Sequence, residues 1–325
     1  MKWFWFLLLA LLMLRHEVVG TDLPTYKYIY EYIAANDWQT AINRSDEIAY
    51  GLMNKFISLF TEDFRWVMII SAILSVWSIS KAYVKYSEDA ALSIAIYLNV
   101  SCFILLFSGL RQSIAISLGF VAFELIRSKK KFLFLILVAI AILFHTSAFM
   151  LLFMYPLYHI RIKRSNLIVI VPIILLVLFF NQQIFSFLGN ILNSFTDYDT
   201  TIKETGAYTM LILFAVIAIF TFVIPDESKL DSDTVGMRNF LLFSVLLQTF
   251  APLHSLAMRM NYYYIAFTPL VVTRVIKARS KTWSQIAIVA RNVMVVFFIT
   301  YFWLSAPKDN LLDTFPYYFF WEEIV

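Results

Sequence analysis

Gly109-Leu110-Arg111-Gln112 opens an apolar segment that runs to Arg127-Ser128-Lys129-Lys130-Lys131. A second apolar segment then leads to His145-Thr146-Ser147-Ala148. The basic block at the midpoint holds that part of the chain on one side of a membrane, because short loops rich in Lys and Arg stay on the cytoplasmic side. Arg111 and His145 are then both carried to the opposite side. An arginine and a histidine in greasy sequence, brought to one face by a shared inner turn, are the first hint of chemistry.

The rest of the chain agrees with a membrane reading. Of its 325 residues 61% are apolar and 15% charged, and the mean hydropathy is +0.75, outside the range of soluble domains. Apolar runs recur at about 3–19, 64–80, 90–107, 110–126, 132–145, 146–160, 166–189, 207–224, 239–253, 260–276 and 284–305. These runs are continuous instead of alternating, which favours α-helices over a β-barrel. The expectation is an all-α polytopic membrane protein with about eleven transmembrane helices (range about 9–12), forming one transmembrane domain over 1–325. The lone Cys102 excludes a disulfide framework and a cysteine metal site. Lys2 and the run after it resemble a signal peptide with a weak Val18-Val19-Gly20 cleavage site, but an uncleaved first helix suits a polytopic chain better. Arg15, His16 and Glu17 are expected at its outer end, where charges reach the interface at low cost.

Alternating the segments from an inner N-terminus places sixteen of the 26 Lys and Arg inside and eight outside, as the positive-inside rule demands. Residues 132–160 form one apolar run flanked by basic clusters at both ends. A hairpin of two short helices turning near His145-Thr146-Ser147 satisfies those charges, with the turn lining a watery cavity. Two outer loops follow, at 20–63 and 193–206. The first carries seven acids, and its Ala49, Leu52, Met53, Phe56, Leu59 and Phe60 recur at helical spacing, which predicts a helix along the membrane surface with Glu47 ahead of it on the water side. The second is acidic, small-residue sequence expected to be mobile. Residues 225–238 read as a solvated cytoplasmic linker.

Several residues could carry chemistry on the outer face. Arginine near a membrane centre costs about 2.5–3.5 kcal/mol even on insertion scales, so Arg111, with Gln112 beside it, fits a guanidinium gripping phosphate or carboxylate. The competing reading is an arginine reaching lipid head groups. His145 is either a buried hydrogen bonder or a proton carrier near neutral pH. Arg259 heads Arg259-Met260-Asn261-Tyr262-Tyr263-Tyr264, where Asn261 and Tyr263 offer polar and stacking surfaces for a sugar, or else belong to an aromatic belt. Among the outer acids, Asp22 and Glu47 are best placed to fold over a cavity. His16, His159 and His254 show no ligand spacing with His145. No G-x-x-x-x-G-K-[ST], G-x-S-x-G or H-E-x-x-H motif occurs, so ATPases, serine hydrolases and zincins gain no support.

Arg111-Gln112-Ser113-Ile114-Ala115, the basic turn, and Phe144-His145-Thr146-Ser147-Ala148 together resemble the core signature of the EpsG family. Asp22, Tyr26, Tyr30 and Glu47-Ile48-Ala49-Tyr50-Gly51-Leu52 resemble its first outer loop, and Arg259 to Tyr264 its late arginine–tyrosine element. The family comprises bacterial membrane proteins of exopolysaccharide and O-antigen clusters, regarded as Wzy-type polymerases. The resemblance implies a GT-C-like architecture in the inner membrane, with the active site facing the periplasm. Its substrates would be undecaprenyl-diphosphate-linked oligosaccharides, serving as both donor and acceptor. Arg111 and Arg259 would hold the diphosphate, helped by Gln112, Asn261 and Tyr263. Asp22, Glu47 or His145 would take the acceptor's proton. No cofactor is implied, and a divalent metal is compatible with a diphosphate although no metal site can be read. Partners would be the bilayer, a flippase and a chain-length regulator, with no nucleic acid. An O-antigen ligase or another polyprenyl-phosphate-dependent glycosyltransferase needs similar residues. A lipid-linked glycan flippase is the alternative of another class, although it would place charges on both sides of the midplane.

Overall fold

The computed structural model describes residues 1–44, 47–100, 102–192 and 205–323. The described chain is helical, with no strand beyond two isolated bridges. It divides into two compact units, one of Met1–Leu152 with Asn292–Val325 and one of Phe153–Arg291. The expected second outer loop, 193–206, falls almost wholly outside the described residues.

The first unit contains α1 (Lys2–Leu14), α2 (Leu23–Ala35), α3 (Trp38–Arg44), α4 (Ile48–Ser58), α5 (Arg65–Tyr86), α6 (Ala90–Asn99), α7 (Cys102–Ser108), α8 (Leu110–Arg127) and α9 (Lys131–Phe144). With 22 residues, α5 is about 33 Å long at 1.5 Å per residue, enough for the hydrocarbon core of a bilayer. It packs on α8 through small side chains, because lipid gives helices no hydrophobic reason to associate and close backbone approach must do it instead. Ser71, Ala72, Ser75, Ser78 and Ala82 are buried on α5, as are Ser113, Ala115, Ser117, Gly119 and Ala122 on α8. Ser117 donates to the Leu74 carbonyl at 2.7 Å, and the Ser78 and Ser117 hydroxyls meet at 2.6 Å. At the basic end, Lys85 Nζ and Glu124 close the pair at 2.7 Å. Trp5, Tyr83 and Tyr97 form an aromatic nucleus between α1, α5 and α6, with centroids 5.0–5.3 Å apart.

The segment after α1 is stitched to the end of α7. Asp22 N–H donates to Ser108 Oγ at 3.0 Å, and Gly20 adopts φ +132°, where an added Cβ would stand 2.1 Å from the Phe107 carbonyl oxygen. Gly20→Ala is therefore expected to cost at least about 1–3 kcal/mol, the scale of a residue held in a sparsely populated backbone region. A thermal-unfolding midpoint in detergent indistinguishable from that of the parent protein would refute this. The C-terminal stretch closes over the same place. His16 N–H donates to the Tyr318 carbonyl at 2.8 Å, Phe320 N–H to the Leu14 carbonyl at 2.9 Å and Thr21 N–H to the Leu312 carbonyl at 3.0 Å.

The second unit contains α10 (Met154–His159), α11 (Leu167–Phe179), α12 (Asn181–Leu192), α13 (Thr205–Val223), α14 (Ser232–Gln248), α15 (Ser255–Ile265) and α16 (Thr268–Lys277); α17 (Ser284–Asp309) starts here and ends in the first unit. Its core is α14. Asn239 Nδ2 donates to the carbonyls of Leu157 and Ile160 at 2.8 and 2.6 Å, and buried Arg238 pairs with Glu227 and the Ile162 carbonyl. The 225–238 stretch is thus more than a solvated linker. A helix starts at Ser232, and Asp231 caps it by accepting the Thr234 N–H at 2.9 Å. Partial burial works against the charged form of Asp231, but the Thr234 and Arg274 hydrogen bonds outweigh it and hold the carboxyl below its usual range.

Among the described residues, helices α5 and α17 are each long and apolar enough to cross a bilayer, and two bent pairs, α6 with α7 and α11 with the start of α12, raise the number to four. Helices α1, α9 and α13 are shorter but apolar. Outward faces stay greasy, with Ile168 81% and Trp303 70% exposed, the pattern of a membrane-embedded protein whose solvent is lipid. The expected span 166–189 bends by 73° next to Phe180. The expected span 260–276 is two helices, because Pro269 lacks an N–H and its ring conflicts with the Ile265 carbonyl four residues back. Residues 132–160 are not one helix either. Helix α9 ends at Phe144, His145 is extended at φ −159°, ψ 121°, and a 3-10 helix follows from Thr146 to Phe153.

Candidate functional site

The described residues of 20–63, expected as the first outer loop, are folded against the helices of their own unit. Leu23, Tyr26 and Tyr30 of α2, Tyr50 and Ile57 of α4, and Phe64, Val67, Met68 and Leu110 form one buried cluster. Lys55 of α4 is buried, and its ammonium takes the Ile33, Ala34 and Asn36 carbonyls at the end of α2, where a helix terminus leaves carbonyls short of intrahelical partners. The expected helix after Glu47 is present as α4, with Ile48, Phe56, Leu59 and Phe60 exposed near its two ends. Its inner face is polar in part, carrying Tyr50, Asn54 and Lys55.

Glu47 precedes α4 as expected, but it is not on the water side. It is 4% exposed and makes no capping bond to its own helix. Its carboxylate is spent on two other elements. Oε1 is hydrogen-bonded to His145 Nδ1 and accepts the Thr146 N–H at 3.4 Å. Oε2 faces Arg111 Nε at 2.8 Å. A buried carboxylate needs such partners, since an unpaired one would cost several kcal/mol, of the order of the effective penalty for burying an ion.

Each partner is delivered by local structure. The break after Phe144 leaves His145 extended, which takes its ring off the α9 surface. Arg111 is the second residue of α8, just beyond Gly109. Its Nε also lies 3.4 Å from Tyr26 Oη, and the guanidinium carbon is 5.2 Å from the Tyr26 ring centre. Tyr26 in turn packs on Tyr50 at 5.5 Å between centroids. Burial pushes both phenols up, that of Tyr50 well above its ordinary value, while the Arg111 charge opposes the rise. Both rings therefore remain neutral hydroxyls at physiological pH. Arg111 and His145 side chains keep 28% and 12% exposure, so the cluster is reachable from one side. Its composition is one carboxylate, one fixed guanidinium and one imidazole whose Nε2 is turned away from the carboxylate. That set can hold an anion and accept a proton.

Asp22 sits half-buried at the N-cap of α2, within electrostatic reach of Tyr26. Gln112 is buried beside Arg111 at 4% exposure. Arg259, Asn261 and Tyr263 belong to the second unit. There Arg259 is exposed on α15, whereas Asn261 is fully buried and donates to Gln248 Oε1 at 2.9 Å, and Tyr263 is 1% exposed. The two expected sugar-contacting residues thus both lie on the buried face of α15. Among the described residues no three His, Cys, Asp or Glu side chains converge as metal ligands would. Sequence reasoning missed Arg15. Expected at the interface, it is 1% exposed inside the first unit, and with Glu17 two residues away nothing in the local sequence announces that burial.

Neither the curated proteins nor the solved structures contain a match to this chain. A family model does match it, over residues 3–319, and with nearly the whole chain covered the protein belongs to the EpsG family.

Proposed function

We propose that this protein is a polysaccharide polymerase of the bacterial inner membrane, acting at the periplasmic face. In this reading about eleven crossings in a GT-C-like arrangement carry the site. The enzyme moves a glycan from an undecaprenyl-diphosphate carrier onto a lipid-linked acceptor repeat unit. The observation that supports it is the meeting of Glu47, Arg111 and His145 in one cluster, on three elements far apart in sequence. The terminal nitrogens of Arg111 hold the leaving diphosphate and stabilise the charge it gains as the glycosyl C–O bond breaks. His145 Nε2 takes the proton of the acceptor hydroxyl as the new C–O bond forms. Glu47 holds the proton on Nδ1 and so keeps Nε2 basic. Asp22 is the second candidate base, and Arg259 the second proposed cation. At the C-terminal end of α4, an apolar recess of about 390 Å³ lined by Phe56, Ile57, Phe60, Thr61, Trp66 and Ile70 suits a hydrocarbon chain, within the volume range of small-molecule sites.

The deciding experiment is the lipid-linked product profile of a strain lacking the protein. A single capped repeat unit is expected. Long chains left on undecaprenyl diphosphate would make it a ligase instead, and an unchanged profile would sink both.

A further inference from the structure

Arg15 is the anomaly of the first unit. It closes α1 and is 1% exposed. Nη1 donates to the Leu106 carbonyl at 3.4 Å, but Nε and Nη2 have no hydrogen-bond partner. No carboxylate pairs with it among the described residues, since nearby Glu17 is taken by Lys27 at 2.7 Å. Buried charge without a counter-ion is among the costliest features a fold can keep, and such groups persist where a ligand completes them. The two idle nitrogens are also particular. Nε and Nη2 form one edge of the guanidinium, the two-pronged edge that matches two oxygens of a phosphate or carboxylate.

Two further buried groups stand idle on α4. Tyr50 lies within electrostatic reach of Arg15. Its hydroxyl and the side chain of Asn54, one turn further along, are buried with no hydrogen-bond partner beyond each other. Tyr50 packs on Tyr26, over which Arg111 lies. Two guanidinium groups thus flank a tilted tyrosine pair, Arg15 within reach of Tyr50 and Arg111 over Tyr26, with Glu47 the acid that answers Arg111. We propose that Arg15, Tyr50 and Asn54 form a second oxyanion subsite next to the Glu47–Arg111–His145 cluster, reading the phosphoryl oxygens of a diphosphate. The polymerase reading supplies only the identity of the diphosphate; the subsite itself rests on the unanswered donors. In this structure 312–320 lies across it, so loading requires that stretch to lift.

The test is thermal unfolding of the full-length protein in detergent. It is titrated with inorganic diphosphate and, in a second arm, farnesyl diphosphate, against chloride at equal ionic strength. The parent protein should show a saturable upward shift of its midpoint. Arg15→Met should leave the ligand-free midpoint unchanged or higher, because it removes an unpaired buried charge, and should weaken binding by about tenfold or more, the scale of one charge-assisted hydrogen bond. Tyr50→Phe, which deletes one hydroxyl and keeps the ring, should bind severalfold more weakly and covers the case in which Arg15→Met does not fold. Tighter binding of the prenyl compound identifies a lipid-linked anion and equal binding a free one; both uphold the subsite. Undiminished affinity in Arg15→Met or Tyr50→Phe, or no saturable shift in the parent protein, overturns it. Because the readout is binding, it stands or falls separately from the product profile that tests the polymerase.

Discussion

Glu47→Gln is expected to lower polymer formation by about 10²–10⁴-fold, the range attributed to a positioned proton acceptor, while the protein still inserts and folds. The substitution keeps shape and removes charge, so its effect comes from hydrogen-bond polarity. One oxygen of the glutamate lies against Arg111 in an ion pair and the other is hydrogen-bonded to His145. Glutamine has one accepting end and one donating end. Arg111 can only donate, so the amide oxygen turns to it and the amide nitrogen faces His145 Nδ1. Nδ1 must then accept, the proton moves to Nε2, and the ring no longer has a lone pair for the acceptor hydroxyl. The measurement is polymer formed per molecule of protein in membranes, with the pH profile followed alongside. A normal yield with Glu47→Gln would remove His145 and Glu47 from the proton transfer and leave Asp22 as the base.

Arg111→Ala is expected to reduce turnover by about 10²–10³-fold, the loss seen when one stabilising donor is taken from a developing oxyanion. Arg111→Lys should recover only a small part. A lysine ammonium is a point charge, and one that stays with Glu47 cannot also span two phosphoryl oxygens as a guanidinium does. Glu47 would not be stranded by the alanine, because His145 and the Thr146 N–H still hold its other oxygen. Wild-type chain length in the alanine variant would exclude Arg111 from the diphosphate contact. The double variant Glu47→Gln with Arg111→Ala should lose less than the sum of the single losses, as residues in one network do.

The apolar runs and the basic clusters were enough to read an all-helical membrane chain, because bilayer length and charge placement are written residue by residue. The interruptions were harder. Pro269 could have announced the end of α15, but the bend at Phe180 has no Pro or Gly beside it and depends on packing. Arg111, His145 and Glu47 were each legible as residues out of place in greasy or surface sequence. Their union was not, since it depends on how α4, α8 and α9 meet. Glu47 read as water-facing because helix periodicity says where an apolar stripe lies and nothing about which polar residues pack inward. Asn261 and Tyr263 are the mirror image, polar by type yet buried. Arg15 was misread for the same reason as Glu47: a charge at the end of an apolar helix resembles a snorkelling residue until its neighbours are known.

The backbone bonds from Leu14, His16 and Thr21 to 312–320 also constrain the wiring of the chain. Those residues lie at the end of α1 opposite Lys2. If α1 crosses the bilayer, the polypeptide must change sides an odd number of times before it reaches residue 312, whatever the individual spans turn out to be. Moving one crossing would break the clasp, so the count of crossings and the cover over Arg15 are inherited together. A reporter fused behind residue 325 would hang from this clasp, and a topology map made that way would also be pulling on the cover.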